Sequence, residues 1–321
     1  MNRRILAALA MTLTLALTAC GTVAGAGIAV SAIETAVEMF SPAQVQAQVE
    51  TLDLAAPRAA VPGDIVETTS AGEIDWSGNT IRATGSGVID PNNPNQAQAR
   101  LMAERAAVVV AQRNLLEAAQ GVRIDSETRV ENFMTDFDVV YSRVEGVVRN
   151  ARQVGPARYD SLGGIVEVEL EMDIHSPSGL SGAVSAALSA SQEQALPMTP
   201  QTMDFLNQYS ALVFDGSQAG LNPSMYPKIY DSSGNLLLDT SVYASYLGST
   251  AENAIQIVSD LNAIFSSPGF SQEPFVIQVQ QVTGALGTDI VLSPEDSGSL
   301  GWLKAGLPYL AAAGKFLLGV I

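Results

Sequence analysis

Residues able to do chemistry are few in this chain, and their types narrow what chemistry is open to it. There is one cysteine, Cys20, and one histidine, His175, in 321 residues. Cys20 closes the stretch Leu17-Thr18-Ala19-Cys20, preceded by Arg3, Arg4 and an apolar run from Ile5. This is the layout of a bacterial lipoprotein signal, with an apolar region too short to span a bilayer. In that reading Cys20 carries lipid and begins the mature chain. No thiol then remains for a disulfide, a nucleophile or a sulfur metal site. A single imidazole excludes a zinc or iron site built on several histidines, and a hydrolase that needs two. His175, between a strand and Pro177, reads as a surface or hairpin-end residue rather than a catalytic base.

The carboxylates form two groups. Glu167, Glu169, Glu171 and Asp173 alternate with Val166, Val168, Leu170, Met172 and Ile174, a period of two that predicts a strand with one buried and one acidic face. Acids strung along a straight strand lie too far apart to converge on one ion, so a solvated face neutralised by cross-strand Arg149 and Arg152 is expected, not a calcium site. Asp215, Asp231 and Asp239 have the residue type needed for glycoside hydrolysis. Each stands at a strand end beside Gly or Ser, which is ordinary turn chemistry.

Tyr226, Tyr230, Tyr243 and Tyr246 cluster in sequence. They form either a stacking surface for a peptide or glycan, or half-buried strand packing. Gly85-Ser86-Gly87 lacks the third glycine and the lysine of a phosphate loop. Gly216-Ser217-Gln218-Ala219-Gly220 does not centre its serine as a nucleophile elbow does. No catalytic residue, cofactor or metal is therefore expected, beyond covalent lipid on Cys20.

The formal charge is −17. Removing the signal with its two arginines makes the mature chain more acidic still, which argues against nucleic acid or anionic lipid headgroups as partners.

The elements that must position these residues suggest an α+β chain with two domains. Residues 1–20 are the signal and 21–71 a tether, in which Ile28 to Phe40 shows helical spacing. Residues 72–175 form a first domain: a strand with close-approach glycines at Gly85 and Gly87, a long helix from Asn95 to Gln120, and a strand over Val122 to Arg129. Val144 to Val154 is read as a strand pairing with the alternating one. Residues 176–200, rich in Ser, Ala and Gly, are read as a linker with a short helix in Ala183 to Ala190. Residues 201–321 form a second small domain, with strands at Tyr209–Asp215, Pro227–Asp231, Leu236–Leu238, Pro274–Val282 and Ile290–Leu292, a final apolar stretch from Phe316 to Ile321, and a helix over Thr250–Phe265.

Gly72 to Ile174 resembles the LPP-twenty lipoprotein family. The resemblance rests on Gln96-Ala97-Gln98-Ala99-Arg100, Ala103-Glu104-Arg105-Ala106-Ala107, Asn114-Leu115-Leu116-Glu117, Ser142-Arg143-Val144-Glu145-Gly146 and the Val166–Met172 strand. The second half is similar to a segment that accompanies this domain in longer bacterial proteins, through Ala211–Asp215, Gly220–Asp231 and Asp289–Asp296. Related forms often carry arginine after the Asp215 equivalent, where this chain has Gly216. The resemblance implies a strand-helix-strand-strand domain in an outer-membrane or periplasmic lipoprotein, some members of which build periplasmic rings or disks around motility machinery. The expectation is a non-enzymatic homo-oligomer, with Arg149 and Arg152 facing Glu167, Glu169 and Glu171 of a neighbour. The alternative is a monomeric module that binds a peptide or glycan through the tyrosines.

Overall fold

The computed structural model describes residues 65–160, 162–188, 199–243, 255–261, 273–300, 309–310 and 316–319. The lipobox, Cys20, the helical pattern of Ile28 to Phe40 and Tyr246 lie outside the described residues. The architecture is α+β, and all the described residues belong to one compact unit, Met39–Ile321.

The first layer is an antiparallel sheet. Its strands are β1 (Val66–Thr68), β2 (Glu73–Asp75), β3 (Thr80–Val88), β4 (Arg152–Gln153), β5 (Arg158–Asp160) and β6 (Ile165–Asp173). They run in the order β1-β2-β3-β6-β4, with β5 also paired to β6. The compact fold thus begins at least as early as Val66, inside the stretch that composition reads as a tether. β3 and β6 pair along their whole length, Thr80 opposite Asp173 and Val88 opposite Ile165.

Helix α1 (Gln96–Gln120) lies on one face of this sheet. Its buried side is Ala99, Ala103, Ala107 and Ala111, then Leu115 and Ala118, a spacing that keeps one stripe against the strands. The stripe is alanine because the strand beneath it is glycine. A Cβ on Gly85 would run into the backbone of Ala107 and Ala111, and one on Gly87 into Ala103. Asn95 caps the helix, its side chain accepting from the Gln98 N–H at 3.1 Å.

Two segments depart from the strand expectation. Val122 to Arg129 is a tight loop with a single bridge, Arg123 to Arg129. Asp125 Oδ1 accepts from the N–H groups of Glu127 and Thr128 inside it. The second segment is helical from Val144 to Arg149: α2 (Val130–Asp136) leads into α3 (Asp138–Arg149). The valines of α3 look strand-like by type, but Val140, Val144 and Val148 are four apart and share one buried face. Only the end of that segment pairs with β6, through Arg152–Gln153 and the Val154 N–H, which donates to Glu169 O. The stretch read as a linker contains α4 (Leu180–Leu188), with Leu180, Ala183 and Val184 buried.

After α5 (Pro200–Gln208) come two four-stranded sheets. β7 (Leu212–Asp215), β10 (Ile255–Val258), β11 (Phe275–Gln278) and β14 (Phe316–Gly319) form a wholly parallel sheet in the order β10-β14-β7-β11. β8 (Lys228–Tyr230), β9 (Leu236–Asp239), β12 (Gln281–Thr283) and β13 (Asp289–Val291) form a mixed one, β12-β13-β8-β9. A short α6 (Pro294–Leu300) follows β13. The helix expected over Thr250–Phe265 is strand at Ile255–Val258, because β14 lies parallel beside it. Its positions 250–254 and 262–265 lie outside the described residues.

Candidate functional site

The acidic strand face exists, and two of its glutamates, Glu167 and Glu171, are paired within the chain. On the sheet face turned away from α1, Arg82 stands opposite Glu171, Thr84 opposite Glu169 and Ser86 opposite Glu167. Glu171 is only 4% exposed, clasped by Arg82 on β3 (2.5 Å) and by Arg152 on β4. Arg158 lies 3.5 Å from Glu167, and Arg149 bonds Glu145 one helical turn back. Neutralisation by cross-strand arginine is therefore intramolecular. Arg152 does reach the acidic strand as expected; Arg149 does not, because α3 carries it to the helix surface. Within the chain Glu171 already holds two guanidiniums, those of Arg82 and Arg152. Sequence reading misses Arg82, although its alternation with Ile81 and Ala83 places it on that face.

The tyrosines do not form one surface. Tyr226 is fully buried, its ring edge-on to His175 at 6.5 Å, and burial raises its pKa. Tyr230 is half-buried on β8, Tyr243 ends a short 3-10 turn (Thr240–Tyr243), and Tyr246 lies outside the described residues. His175 is not a surface hairpin residue: it is 2% exposed and neither ring nitrogen has a hydrogen-bond partner. Burial lowers its pKa to about 4.

The three aspartates each serve their own turn. Asp231 accepts from Ser233 and Asn235, and Asp239 from Ser241. Asp215, at the carboxyl end of β7, accepts from the Ser217 N–H and from Gln278. Burial works against its ionisation, but these bonds outweigh it and leave its pKa lowered. Among the described residues no three His, Cys, Asp or Glu side chains converge as a metal would require.

What the structure does bring together is a polar seam that sequence reading does not find. The loop after α1 meets the segments 222–228 and 284–289. Arg123 O accepts from Met225 N–H and Ile124 O from Tyr226 N–H. The Arg123 guanidinium donates to Pro223 O at 2.8 Å, pairs with Glu67 through both terminal nitrogens, and lies 5.5 Å over the Trp76 ring. Lys228 Nζ lies 3.0 Å from Asp125.

Asp289, 2% exposed, accepts from Ser126 Oγ at 2.6 Å and from the Lys228 backbone N–H at 3.0 Å. Burial raises the Asp289 pKa despite those bonds. For Asp125, burial is outweighed by the Glu127 N–H and Lys228, and its pKa is lowered. The partners across the seam are distant in sequence, and no local pattern announces them.

Beside this seam is a cleft of about 670 Å³. It is lined by Ile65, Val66 and Glu67 from β1 and the residue before it, by Arg123, and by Asn222, Pro223 and Ser259. Ser259 is the first residue past β10, and Asn222 and Pro223 lie in the loop that leaves β7. The cleft is thus on the carboxyl side of the parallel sheet, where open α/β sheets hold ligands.

The parallel and mixed sheets also carry a likeness to a known protein. Residues 211–305 match the family described as the second domain of Treponema pallidum Tp0624. That match takes in β7 through α6 and the β7–β8 loop quoted above as similar to a segment of longer bacterial proteins. No curated protein matches the chain. No helix among the described residues is long and apolar enough to cross a membrane.

Proposed function

We propose that this chain is a lipid-anchored protein of the bacterial outer membrane, facing the periplasm, that acts without catalysis by assembling with copies of itself as a ring or scaffold component. The anchor reading rests on the lipobox ending at Cys20, and the outer-membrane placement on Gly21, where inner-membrane retention favours aspartate. The likeness of residues 72–174 to LPP-twenty lipoproteins supports the same place.

The observation that carries assembly is the uncovered side of α1. Leu101, Met102 and Val109 are large apolar residues between 57% and 59% exposed on this 25-residue helix. Met102 and Val109 are seven residues apart, so they share one flank of the helix, opposite the alanine stripe. A helix this well docked on its buried side has no folding need for apolar residues on the other. On the far side of the sheet, β4 and β5 are only two and three residues long and offer little edge for pairing between copies.

The test is the particle mass of the lipidated protein in mild detergent, by light scattering. The proposal expects a defined oligomer that falls to monomer in the double variant Met102→Glu, Val109→Glu with circular dichroism unchanged. A wild-type monomer, or an oligomer indifferent to both charges, refutes it. Cys20→Ala is expected to move the protein out of the membrane fraction while leaving the fold intact.

A further inference from the structure

The cleft beside the seam has a feature its volume alone does not convey: part of its lining is a strand edge with no partner strand among the described residues. In β1 the residues that bond to β2 are the odd-numbered ones. Ile65 O accepts from Trp76 N–H, and Thr69 N–H donates to Gly72 O. In an antiparallel pair the intervening residues then turn their N–H and C=O the other way. Val66 and Thr68 therefore present backbone donors and acceptors outward, and β1 is the sheet's outer strand among the described residues. Val66 itself lines the cleft, and its side chain is 44% exposed.

Two of the other lining residues are already hydrogen-bonded. Arg123 is spent on Glu67 and Pro223, and Asn222 donates to Leu286 O and Gly287 O. A free strand edge beside hydrogen-bonded polar residues is the arrangement that accepts an extended chain as an added strand. The volume falls in the range of sites that enclose a ligand of several hundred daltons.

Charge selects among extended chains. Arg123 and Glu67 cancel within the cleft, but the exposed Glu73 and the half-buried Asp75 on β2 lie behind the edge, and the chain as a whole carries −17. An acidic strand is repelled and a cationic one attracted.

We propose that this cleft binds an extended, cationic peptide segment of a partner protein, which pairs its backbone with Val66 and Thr68. The site does not depend on assembly through α1, and its failure would leave that reading standing.

The test uses the full mature chain and fluorescence polarisation with three labelled probes. They are a heptapeptide alternating Lys and Val, its counterpart with Glu in place of Lys, and a Lys–Val version N-methylated on alternate amides. The expected result is binding of the first at least ten-fold tighter than either other. Val66→Pro is the decisive variant, since proline removes the outward N–H of β1 and none of the bonds to β2. It should weaken the Lys–Val probe at least ten-fold without changing circular dichroism or particle mass.

Ser259→Trp, which adds bulk at another lining residue of the cleft, should do the same by a route that leaves β1 untouched. Equal binding of the methylated probe, or full binding by both variants, overturns the proposal. So does the absence of binding by wild type. A fall in particle mass on Val66→Pro would overturn it too, because the edge would then belong to a second copy of the chain.

Discussion

The single histidine makes the acid stability of this protein a one-residue experiment. His175 follows β6 and is held by its backbone: its N–H donates to Asn79 Oδ1 at 2.7 Å and its C=O accepts from Asn79 Nδ2 at 3.1 Å. The ring is thereby fixed against Tyr226 with no partner for either nitrogen. Burial favours the neutral form, so the folded-state pKa falls from 6.5 to about 4. A depressed histidine pKa means that the unfolded chain binds the proton first. The stability held by the neutral ring is complete above pH 6.5, declines as pH falls from there towards 4, and is gone below it.

A shift of that size corresponds to about 3 kcal/mol at 1.36 kcal/mol per unit, a large part of an ordinary domain's stability. His175→Phe keeps a ring beside Tyr226 and removes the titration. Urea unfolding of both proteins at about pH 7.5 and about pH 4.5 isolates the effect, since the carboxylates are common to both. Wild type should lose about 2.5 kcal/mol more than the variant over that interval. Parallel losses, or a wild type that resists acid better, would refute the argument.

Other outcomes follow from single contacts. Gly87→Ala should destabilise the fold by at least about 1–3 kcal/mol, as overpacking does, because the new Cβ meets the Ala103 carbonyl, which is backbone and cannot rotate away; the urea midpoint reads it. Glu171→Gln leaves Arg82 and Arg152 without their shared carboxylate, at a cost of about 1–3 kcal/mol. That is less than for a fully buried pair because both arginines reach solvent, and Arg152→Ala should recover part of it. A double-mutant cycle on Asp125→Ala and Lys228→Ala should return a coupling of about 1 kcal/mol that shrinks little in about 0.5 M salt, since both side chains are largely shielded. Zero coupling would remove the Lys228–Asp125 contact from the account of the seam.

How much of this is legible in the sequence depends on range. The α1 helix, the glycines that admit it, the alternating β6 and most strands of the second half are local patterns, and they can be read directly. Val144 to Val148 misleads because valine's preference for strands competes with a four-residue spacing, and packing against the core decides for the helix. Ile255–Val258 misleads in the opposite sense: apolar residues at helical spacing become a strand because β14 pairs beside them.

His175 reads as a surface or hairpin-end residue and Tyr226 as a stacking or half-buried one, since residues of these types are buried only part of the time. Their burial comes from chain segments distant in sequence closing over them. The cross-strand neutralisation of β6 follows from its alternation, but only the β3–β6 register shows that Arg82 is a partner of Glu171.

The seam also explains why the cleft and the buried histidine belong to one structural account. Met225 and Tyr226 are tied by their N–H groups to Arg123 and Ile124, so the residues that bury His175 are close in sequence to those that line the cleft, Asn222 and Pro223. Arg123 contributes at both ends, its carbonyl to Met225 and its guanidinium to Glu67 and Pro223. Edge strand β1 is held against the β7–β8 loop chiefly through that guanidinium. A loop without Arg123 would keep its backbone bonds to Met225 and Tyr226 but would lose the link from β1 to Pro223. The geometry of the cleft therefore rests on one side chain, and the closure over His175 rests on the backbone beside it.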